Sequence, residues 1–259
     1  MPNQGHAASV GKQPPVEPAL AAGIFLVDKP VGPSSFRMVQ LVRRALSIKK
    51  VGHAGTLDPF ASGLLIICVG RPATRLISQF MDGTKRYEAV LKLGTETTTQ
   101  DLEGEVTAQK EVGLFAPEEL ARCLAGFVGE QMQTPPQYSA LKHLGKPLYH
   151  YARKGITIDK APRSITIFQL QLLEAGPESL RIAVECSKGT YIRTLAADIG
   201  RALGCGAHLV ALRRLQSGPF TVADAVDGAV LQDSILARQA LLAKALTVEE
   251  GLAKLSHHE

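Results

Sequence analysis

Short apolar runs alternate with amphipathic stretches along most of the chain, and the first quarter shows both. Residues 24–27 form an apolar run of strand length, and prolines and a glycine force a turn at 30–33. Ser34 or Ser35 can cap the helix that follows, because apolar residues recur at helical spacing to about residue 47. The pattern therefore predicts a buried strand, a tight turn and a helix, in that order.

The same kind of pattern predicts further strands and helices to the end of the chain. Strands are predicted at 64–69, 85–93, 165–173, 180–186 and 209–215, the third and fourth forming a hairpin. Helices are predicted at about 72–83, from Pro117 onward, at 190–203, 228–245 and 247–255, with loops at 51–63 and 94–105. Strands occur in pairs and singly between helices, which predicts an α+β fold: a mixed, largely antiparallel central sheet flanked by helices and loops.

The two ends of the chain differ from the middle. Residues 1–22 are rich in Pro, Gly, Ala and Gln and have no periodicity, so they are predicted to be a disordered tail. Residues 23–259 are predicted to form one folded domain that closes with a helical segment at 221–259. No apolar run reaches membrane-spanning length and no cleavable signal peptide is recognised, so the cytoplasm is the expected location.

Composition and charge narrow the classes of function. The formal net charge is +5 and the sequence pI about 9.0, which favours a polyanionic partner, although a basic protein without a nucleic-acid role explains the charge equally well. The four cysteines form no CxxC pair and are interpreted as buried thiols in a reducing compartment, so no zinc site is expected. The P-loop, HExxH, GxSxG and dinucleotide-binding motifs are absent, so no nucleotide cofactor and no metal are expected.

The segment at 52–63, GHAGTLDPFASG, is the most informative stretch of the chain. Its glycines permit positive φ and a close approach of backbone to a ligand. Pro59 disfavours the helical region for Asp58 and so fixes that carboxylate on a loop that enters a buried strand. As a local pattern alone, Asp58 as a turn cap explains the segment at least as well as Asp58 as a catalytic group.

Three other segments carry candidate chemistry. Tyr191 and Arg193 stand two apart at a predicted strand-to-helix junction, where the arginine could pair with a carboxylate or simply lie at the surface. Tyr87 opens a predicted strand and could stack on a base, or belong to the core. The segment at 131–163 interleaves basic and aromatic residues, which suits RNA but also suits a solvated loop.

Six blocks in a fixed order connect these segments. They read DKPVGPSS, GHAGTLDPFASGLL, KRYEAVLKLG, PPQYSALKHLGKPLYHYAR, CSKGTYIRTLAADIG and GAHLVALRR. Over about residues 24–220 the chain resembles the TruB family of bacterial tRNA pseudouridine-55 synthases. The resemblance implies a pseudouridine synthase fold and a catalytic domain at 23–259, with 134–163 as an RNA-binding insertion that closes over the T-loop.

The resemblance also implies catalytic roles for four residues. Asp58 corresponds to the essential aspartate, the nucleophile, and Arg193 to the arginine that pairs with it. Tyr87 corresponds to the tyrosine that stacks on the flipped base, and Tyr191 to a second tyrosine near the reacting ring.

Three further residues are implied to bind the substrate. His53 corresponds to the histidine that contacts tRNA and helps to keep the target uridine flipped out. Leu212 corresponds to a leucine that lines the uracil pocket. Lys29, with Pro30, corresponds to a pair that supports the active-site loop.

The implied activity is isomerisation of uridine 55 in the T-loop of tRNA to pseudouridine, after base flipping and without a cofactor. Asp58 could attack C1′, add to C6 of the ring, or abstract a proton at C2′ to give a glycal; the sequence leaves these open.

A tRNA-folding chaperone activity could accompany catalysis, and a hydrolytic nucleosidase is the alternative that the basic insertion disfavours. A monomer is expected, without a membrane association. The family's usual β-rich C-terminal PUA domain is not expected, because the residues after Phe220 are too few and too helical.

Overall fold

The fold of residues 21–139, 142–152, 154–156 and 158–256 was described from a computed structural model. Nearly all of the predicted tail, residues 1–20, lies outside the described residues. The strands are β1 (Gly23–Lys29), β2 (Val51–Ala54), β3 (Ser62–Val69), β4 (Lys85–Leu93), β5 (Thr95–Thr97), β6 (Val106–Gln109), β7 (Gly129–Gln133), β8 (Lys142–His143), β9 (Lys146–Pro147), β10 (Arg163–Gly176), β11 (Ser179–Cys186), β12 (Ala207–Ser217), β13 (Phe220–Thr221) and β14 (Val226–Asp227).

Helices cover both faces of the strands. They are α1 (Ser35–Leu46), α2 (Gly70–Thr74), α3 (Ile77–Phe80), α4 (Pro117–Ala125), α5 (Leu148–Ala152), α6 (Ile192–Ala202), α7 (Ser234–Ala243) and α8 (Val248–Ser256), with 3₁₀ turns at Val222–Asp224 and Gly228–Gln232. Within the described ranges, none of these helices has the length and hydropathy needed to span a bilayer.

One large sheet organises the molecule. Its strand order is β14-β1-β3-β12-β4-β11-β10-β7, with β2 pairing β3 and β13 pairing β12. Most pairs are antiparallel, but β12 runs parallel to β3, and β1 runs parallel to β14. The predicted fold class, a mixed and largely antiparallel sheet with flanking helices, is therefore confirmed. Among the described strands, β12 is the one that pairs with β3 on one side and with β4 on the other, so it joins the two parts of the sheet.

Three apolar clusters hold the helices to the sheet. The largest lies under α4 and α6, on β4, β10, β11 and β12. A second packs α1 and α7 against β1 and β3, and a third packs α2, α3 and α8 on the opposite face of the same strands. Met38 and Val42 on α1 are fully buried, and burying a side chain of this kind contributes roughly 1.5–3 kcal/mol.

The helix α1 confirms its prediction at both ends. The Ser34 side chain accepts a hydrogen bond from the Arg37 backbone N–H at 3.1 Å, as an N-cap does. Ser47 ends the helix in the left-handed region at φ 57°. The first turn of α1 therefore has a fixed position beside the segment that contains Asp58.

Several predicted boundaries were wrong. Residues 51–54 are a strand and not the start of a loop, because backbone pairing with β3 needs no hydrophobic alternation. Residues 94–105, predicted as loop, contain β5, whose partner β6 is fully exposed and so leaves no alternating pattern. The stretch 72–83 forms two short helices rather than one. The stretch 228–245 is divided at Asp233, whose carboxylate caps α7 by accepting from Ile235 N at 2.8 Å.

Candidate active site

Asp58 lies on a short segment between β2 and β3, called here the Asp58 loop (residues 55–61). The first turn of α1 fixes this loop through Ser35, whose hydroxyl donates to Leu57 O and accepts from Leu57 N, both at 2.9 Å. The proline turn (residues 30–33) fixes it again, since Gly32 N donates to Pro59 O at 2.8 Å. The carboxylate therefore stands on a loop whose backbone has partners outside itself.

Lys29 joins the proline turn to the Asp58 loop. Its side chain is fully buried, and Nζ donates to Pro30 O at 2.9 Å, Pro33 O at 2.8 Å and Pro59 O at 3.2 Å. Burial lowers the Lys29 pKa to about 8, and the negative charge of Asp58 opposes this shift. The ammonium thus faces backbone carbonyls, which is the position of a loop support rather than of a group that touches a substrate.

Arg193 meets Asp58 across the fold. Arg193 lies in the first turn of α6, and its Nε is 3.1 Å from Oδ2 of Asp58. The guanidinium side chain is 7% exposed, whereas the Asp58 side chain is 35% exposed, so the carboxylate is reachable and its partner is not. Burial raises the Asp58 pKa; Arg193 and Lys29 counteract this effect, and the charge of Asp101 adds to it.

Asp101 is a site residue that sequence reasoning missed. Arg193 Nη1 donates to Oδ2 of Asp101 at 2.9 Å and to Thr99 O at 3.1 Å. The side chain of Asp101 is 3% exposed. Its other oxygen accepts from Thr99 Oγ1 at 2.5 Å and from Glu103 N at 3.0 Å, so in sequence it looks like an ordinary turn aspartate. Asp101 is one of four acidic residues in the polar, threonine-rich stretch at 94–105, so its sequence context did not distinguish it.

Tyr191 is the N-cap residue of α6 and stands two residues before Arg193. The side chain of Gln133, at the end of β7, forms two hydrogen bonds with the Tyr191 backbone: Oε1 accepts from Tyr191 N at 2.8 Å, and Nε2 donates to Tyr191 O at 3.1 Å. Burial raises the pKa of the Tyr191 phenol. Gln133 is also buried and was not predicted, because a glutamine next to the proline pair at 135–136 resembles a loop residue.

Tyr87, Leu212 and His53 approach the site from three strands. Tyr87 on β4 is 9% exposed and belongs to the largest apolar cluster, as does Leu212 on β12. Burial raises the Tyr87 pKa, and the positive charge of Arg214 opposes the shift. His53 on β2 is half-buried, and burial followed by the charge of Arg214 lowers its pKa, so its ring is neutral at pH 7.

The insertion (residues 134–163) is connected to the same centre. Nη2 of Arg193 donates to Tyr138 O at 2.7 Å, and within the insertion Lys160 Nζ donates to Pro135 O at 2.7 Å. Several basic and aromatic side chains of the predicted RNA-binding segment fall outside the described residues. The described root of the insertion thus contacts the guanidinium that pairs with Asp58.

The site consists of the accessible Asp58 carboxylate beside the buried Arg193 guanidinium, with aromatic and aliphatic side chains around the pair. Among the described residues no group of three or more His, Cys, Asp or Glu side chains could hold a metal ion. An ionised carboxylate in such a setting can attack or stabilise an electron-poor carbon. The cysteines Cys68 and Cys186 are buried, and burial raises the pKa of each thiol to about 12, so neither offers a thiolate.

Comparison with known proteins agrees with this geometry. Residues 43–192 match the family model described as "TruB family pseudouridylate synthase (N terminal domain)", and residues 193–253 match "tRNA pseudouridylate synthase B C-terminal domain". Similar curated proteins, each named tRNA pseudouridine synthase B, come from Desulfotalea psychrophila (57% identity, covering 90% of this chain and 96% of the relative) and Bordetella parapertussis (51%, 85% and 91%).

Solved structures share the fold. A chain in the crystal structure of a Cbf5-Nop10-Gar1 complex superposes with a TM-score of 0.70 at 26% identity. The match covers 91% of this chain but 63% of that one, so the protein spans less than two thirds of the length of that structure's chain. An archaeal box H/ACA sRNP Nop10-Cbf5 complex gives a TM-score of 0.66, also at 26% identity. The family models and the relatives together show that the chain belongs to the TruB family of pseudouridylate synthases.

Proposed function

We propose that this pseudouridine synthase isomerises uridine 55 in the T-loop of tRNA, with Asp58 as the attacking carboxylate. The observation that supports it best is the ion pair between Asp58 and Arg193, in which the accessible partner is the carboxylate. The guanidinium favours the ionised form of Asp58 against the opposing effect of burial. The names of the relatives support tRNA as the substrate.

Base flipping supplies the access that the reaction needs. The glycosidic bond of a stacked uridine is hidden, so the nucleotide leaves the stack and its C1′ comes within reach of Asp58. In this proposal Tyr87 stacks on the flipped base, Tyr191 lies near the reacting ring and Leu212 lines the uracil pocket. His53, on the strand that precedes the Asp58 loop, contacts the RNA and keeps the base out.

The isomerisation needs no redox partner and no group donor. The N1–C1′ bond breaks, the uracil turns, C5 bonds to C1′, and the C5 proton is finally exchanged for one on N1. Asp58 can act by attack on C1′, by addition to C6 or by proton abstraction at C2′. The role of Arg193 is the same in all three routes: it holds the carboxylate ionised and oriented.

The RNA contacts follow from the position of the insertion. Residues 134–163 are proposed to close over the T-stem and T-loop, with residues 23–259 as one catalytic domain. The cationic and aromatic residues of the insertion suit phosphates and unstacked bases. Because tRNA is the substrate, we place the enzyme in the cytoplasm, where it acts as a monomer.

The decisive experiment is tritium release from tRNA that carries tritium at C5 of uridine. Asp58→Asn is expected to abolish release while the circular dichroism spectrum stays that of the wild type. Asp82→Asn is the matched control, because the Asp82 side chain is exposed and its ion pair with Lys188, at 2.5 Å, lies at the surface. Release by Asp58→Asn at the wild-type rate would exclude the assigned role. A chaperone activity is tested with the same variant, which should still accelerate tRNA folding if that activity exists.

A further inference from the structure

Arg214 is a buried cation beside the active site that the mechanism above does not use. It lies on β12, directly opposite Tyr87 of β4 and Gly63 of β3, and is 2% exposed. Its nearest neighbour in sequence, Arg213, is more exposed and pairs with Asp28 at 2.6 Å. Side chains alternate between faces along a strand, so the two arginines serve opposite faces of the sheet.

The Arg214 guanidinium contacts the first residue of the Asp58 loop and the strand β3 that follows the loop. Its Nη2 donates to Gly55 O at 3.0 Å, three residues before Asp58, and its Nε donates to Leu64 O at 2.7 Å, six residues after it. One rigid planar group thus holds the chain on each side of the catalytic carboxylate. The planar fork of an arginine suits this task, because its donors have fixed mutual geometry.

The glycines of the GHAGTLDPFASG motif fit around this side chain. A Cβ added to Gly55 would stand 3.3 Å from Nη1 of Arg214, and one added to Gly63 would overlap the Arg214 carbonyl oxygen. Both glycines also have positive φ, at 81° and 102°. Both glycines therefore allow a close approach to Arg214, Gly55 to its side chain and Gly63 to its backbone.

Arg214 also lies beside Tyr87. The two residues are direct cross-strand partners on β12 and β4, and the positive charge of Arg214 lowers the pKa of the Tyr87 phenol against the larger effect of burial. Within the described part of the chain, Arg214 forms no salt bridge with a carboxylate. Its charge is balanced by carbonyl dipoles and a phenol, so removing it would leave buried acceptors without a donor.

We propose that Arg214 is a positioning residue for the isomerisation, a cation that holds the start of the Asp58 loop and the strand after it beside Tyr87 and so fixes the carboxylate relative to the stacking ring. This inference rests on the proposed function, since it concerns the same reaction. Its action is indirect: Arg214 acts through the backbone on either side of Asp58 and not through a contact with the RNA. A displacement of a reacting group by 1 Å can cost about 100-fold in rate, so loss of the clamp should appear mainly in the chemical step.

The test compares Arg214→Lys with Arg213→Lys, which makes the same chemical change one residue away on the other face. Single-turnover tritium release at saturating tRNA, tRNA affinity and thermal unfolding are measured for each. Arg214→Lys is expected to slow release by about 10- to 100-fold with nearly unchanged tRNA affinity, because Arg214 bonds Leu64 O and Gly55 O from two nitrogens in a fixed planar fork and the single ammonium of a lysine lacks that geometry. Arg213→Lys is expected to retain the wild-type release rate, whatever its melting temperature.

Equal release rates for the two variants would overturn the proposal, and so would a loss of tRNA affinity in place of rate. If Arg214→Lys does not fold, Gly55→Ala replaces it, since this variant keeps Arg214 but pushes against Nη1. A wild-type rate for Gly55→Ala would then overturn the clamp. Absence of tritium release by the wild type would instead contradict the proposed function, so the two failures are distinguishable.

Discussion

Nη1 of Arg193 donates a hydrogen bond to Oδ2 of Asp101 at 2.9 Å, so the guanidinium that faces Asp58 is also held by a more deeply buried carboxylate. Two carboxylates therefore share one cation. The deeper one fixes the orientation of Arg193, and the accessible one remains available for the reaction. Asp101 also raises the pKa of Asp58 by repulsion.

Asp101→Ala should destabilise the fold and slow the reaction. Removing one partner of a buried ion pair costs about 3–5 kcal/mol, and here it also frees Arg193 to rotate away from Asp58. Thermal unfolding and single-turnover tritium release measure the two effects. Asp198→Ala is the control, because Asp198 lies on α6, the helix that carries Arg193, and pairs with Arg201 at 2.7 Å at its surface. Equal losses in the two variants would contradict a special role for Asp101.

The acidic limb of the pH–rate profile should report Asp58. Burial raises its pKa, so the rate falls as the pH is lowered through a value above that of an ordinary aspartate. Asp101→Asn removes the repulsive charge and should move this limb to lower pH, whatever its effect on the maximal rate. The profile of tritium release at saturating tRNA provides the measurement. A limb that stays in place would mean that another group controls it.

Asp58→Asn should melt at the same temperature as the wild type, or higher, at pH 7. The folded-state pKa of Asp58 is raised, so the folded chain binds the proton more tightly than the unfolded chain does. Ionisation at neutral pH therefore costs stability, and this cost disappears as the pH falls to the ordinary aspartate range. Melting curves at pH 7 and pH 3.5 (about the ordinary aspartate pKa) should show the difference between variant and wild type shrinking. A variant that melts well below the wild type at pH 7 would show that the Arg193 contact outweighs burial.

Deprotonation of Lys29 should lower the reaction rate at alkaline pH. Its pKa is lowered to about 8, and the neutral amine has one donor fewer for the three carbonyls that it holds. Between about pH 8 and 10.5 the unfolded chain carries the proton that the folded chain has lost, so this group's contribution to stability rises while the rate falls. The Lys29→Arg variant keeps its positive charge in this pH range, so its reaction rate should not decline there. If the decline persists, the buried Lys85, whose pKa is also lowered to about 8, is the better candidate.

Gln133→Ala should loosen Tyr191. The substitution leaves the Tyr191 backbone N–H and C=O without their partners, which costs roughly 1–3 kcal/mol for a buried polar group. Thermal unfolding and tritium release are the measurements, and release is expected to fall further than stability alone explains. Gln131→Ala is the control on the same strand, since the Gln131 side chain bonds to Phe127 O and not to Tyr191. A release rate equal to that of the control would remove Gln133 from the site.

The elements that bury a periodic face were predictable from sequence, and those stabilised by backbone pairing alone were not. The helix α1 and the hairpin of β10 and β11 show clear periodicity and were found. The strand β2 has only the sequence VGHA, so its pairing with β3 could not be read from side chains. The same limit applies to β5, a polar strand of three residues, and to β6, whose four residues are all exposed.

The candidate site shows the same division. Asp58 and Arg193 were chosen because they belong to segments of recognisable order, and the structure brings them to 3.1 Å. Asp101 and Arg214 were missed because their partners lie far away in the chain. Asp101 satisfies a local turn, and Arg214 looks like half of an ordinary basic pair, so nothing local distinguishes either from a surface residue.

The central position of β12 has a consequence for the order in which the chain becomes an enzyme. During synthesis, every strand of the large sheet except β12 itself, β13 and β14 emerges before residues 207–217, yet among the described strands it is β12 that joins β3 to β4. A nascent chain that ends before β12 contains Asp58, Tyr87 and Arg193 but lacks the strand that sets their spacing. Pairings between residues so distant in sequence form slowly. We therefore expect the growing polypeptide to be inactive until about four fifths of it has left the ribosome and β12 can pair with β3 and β4.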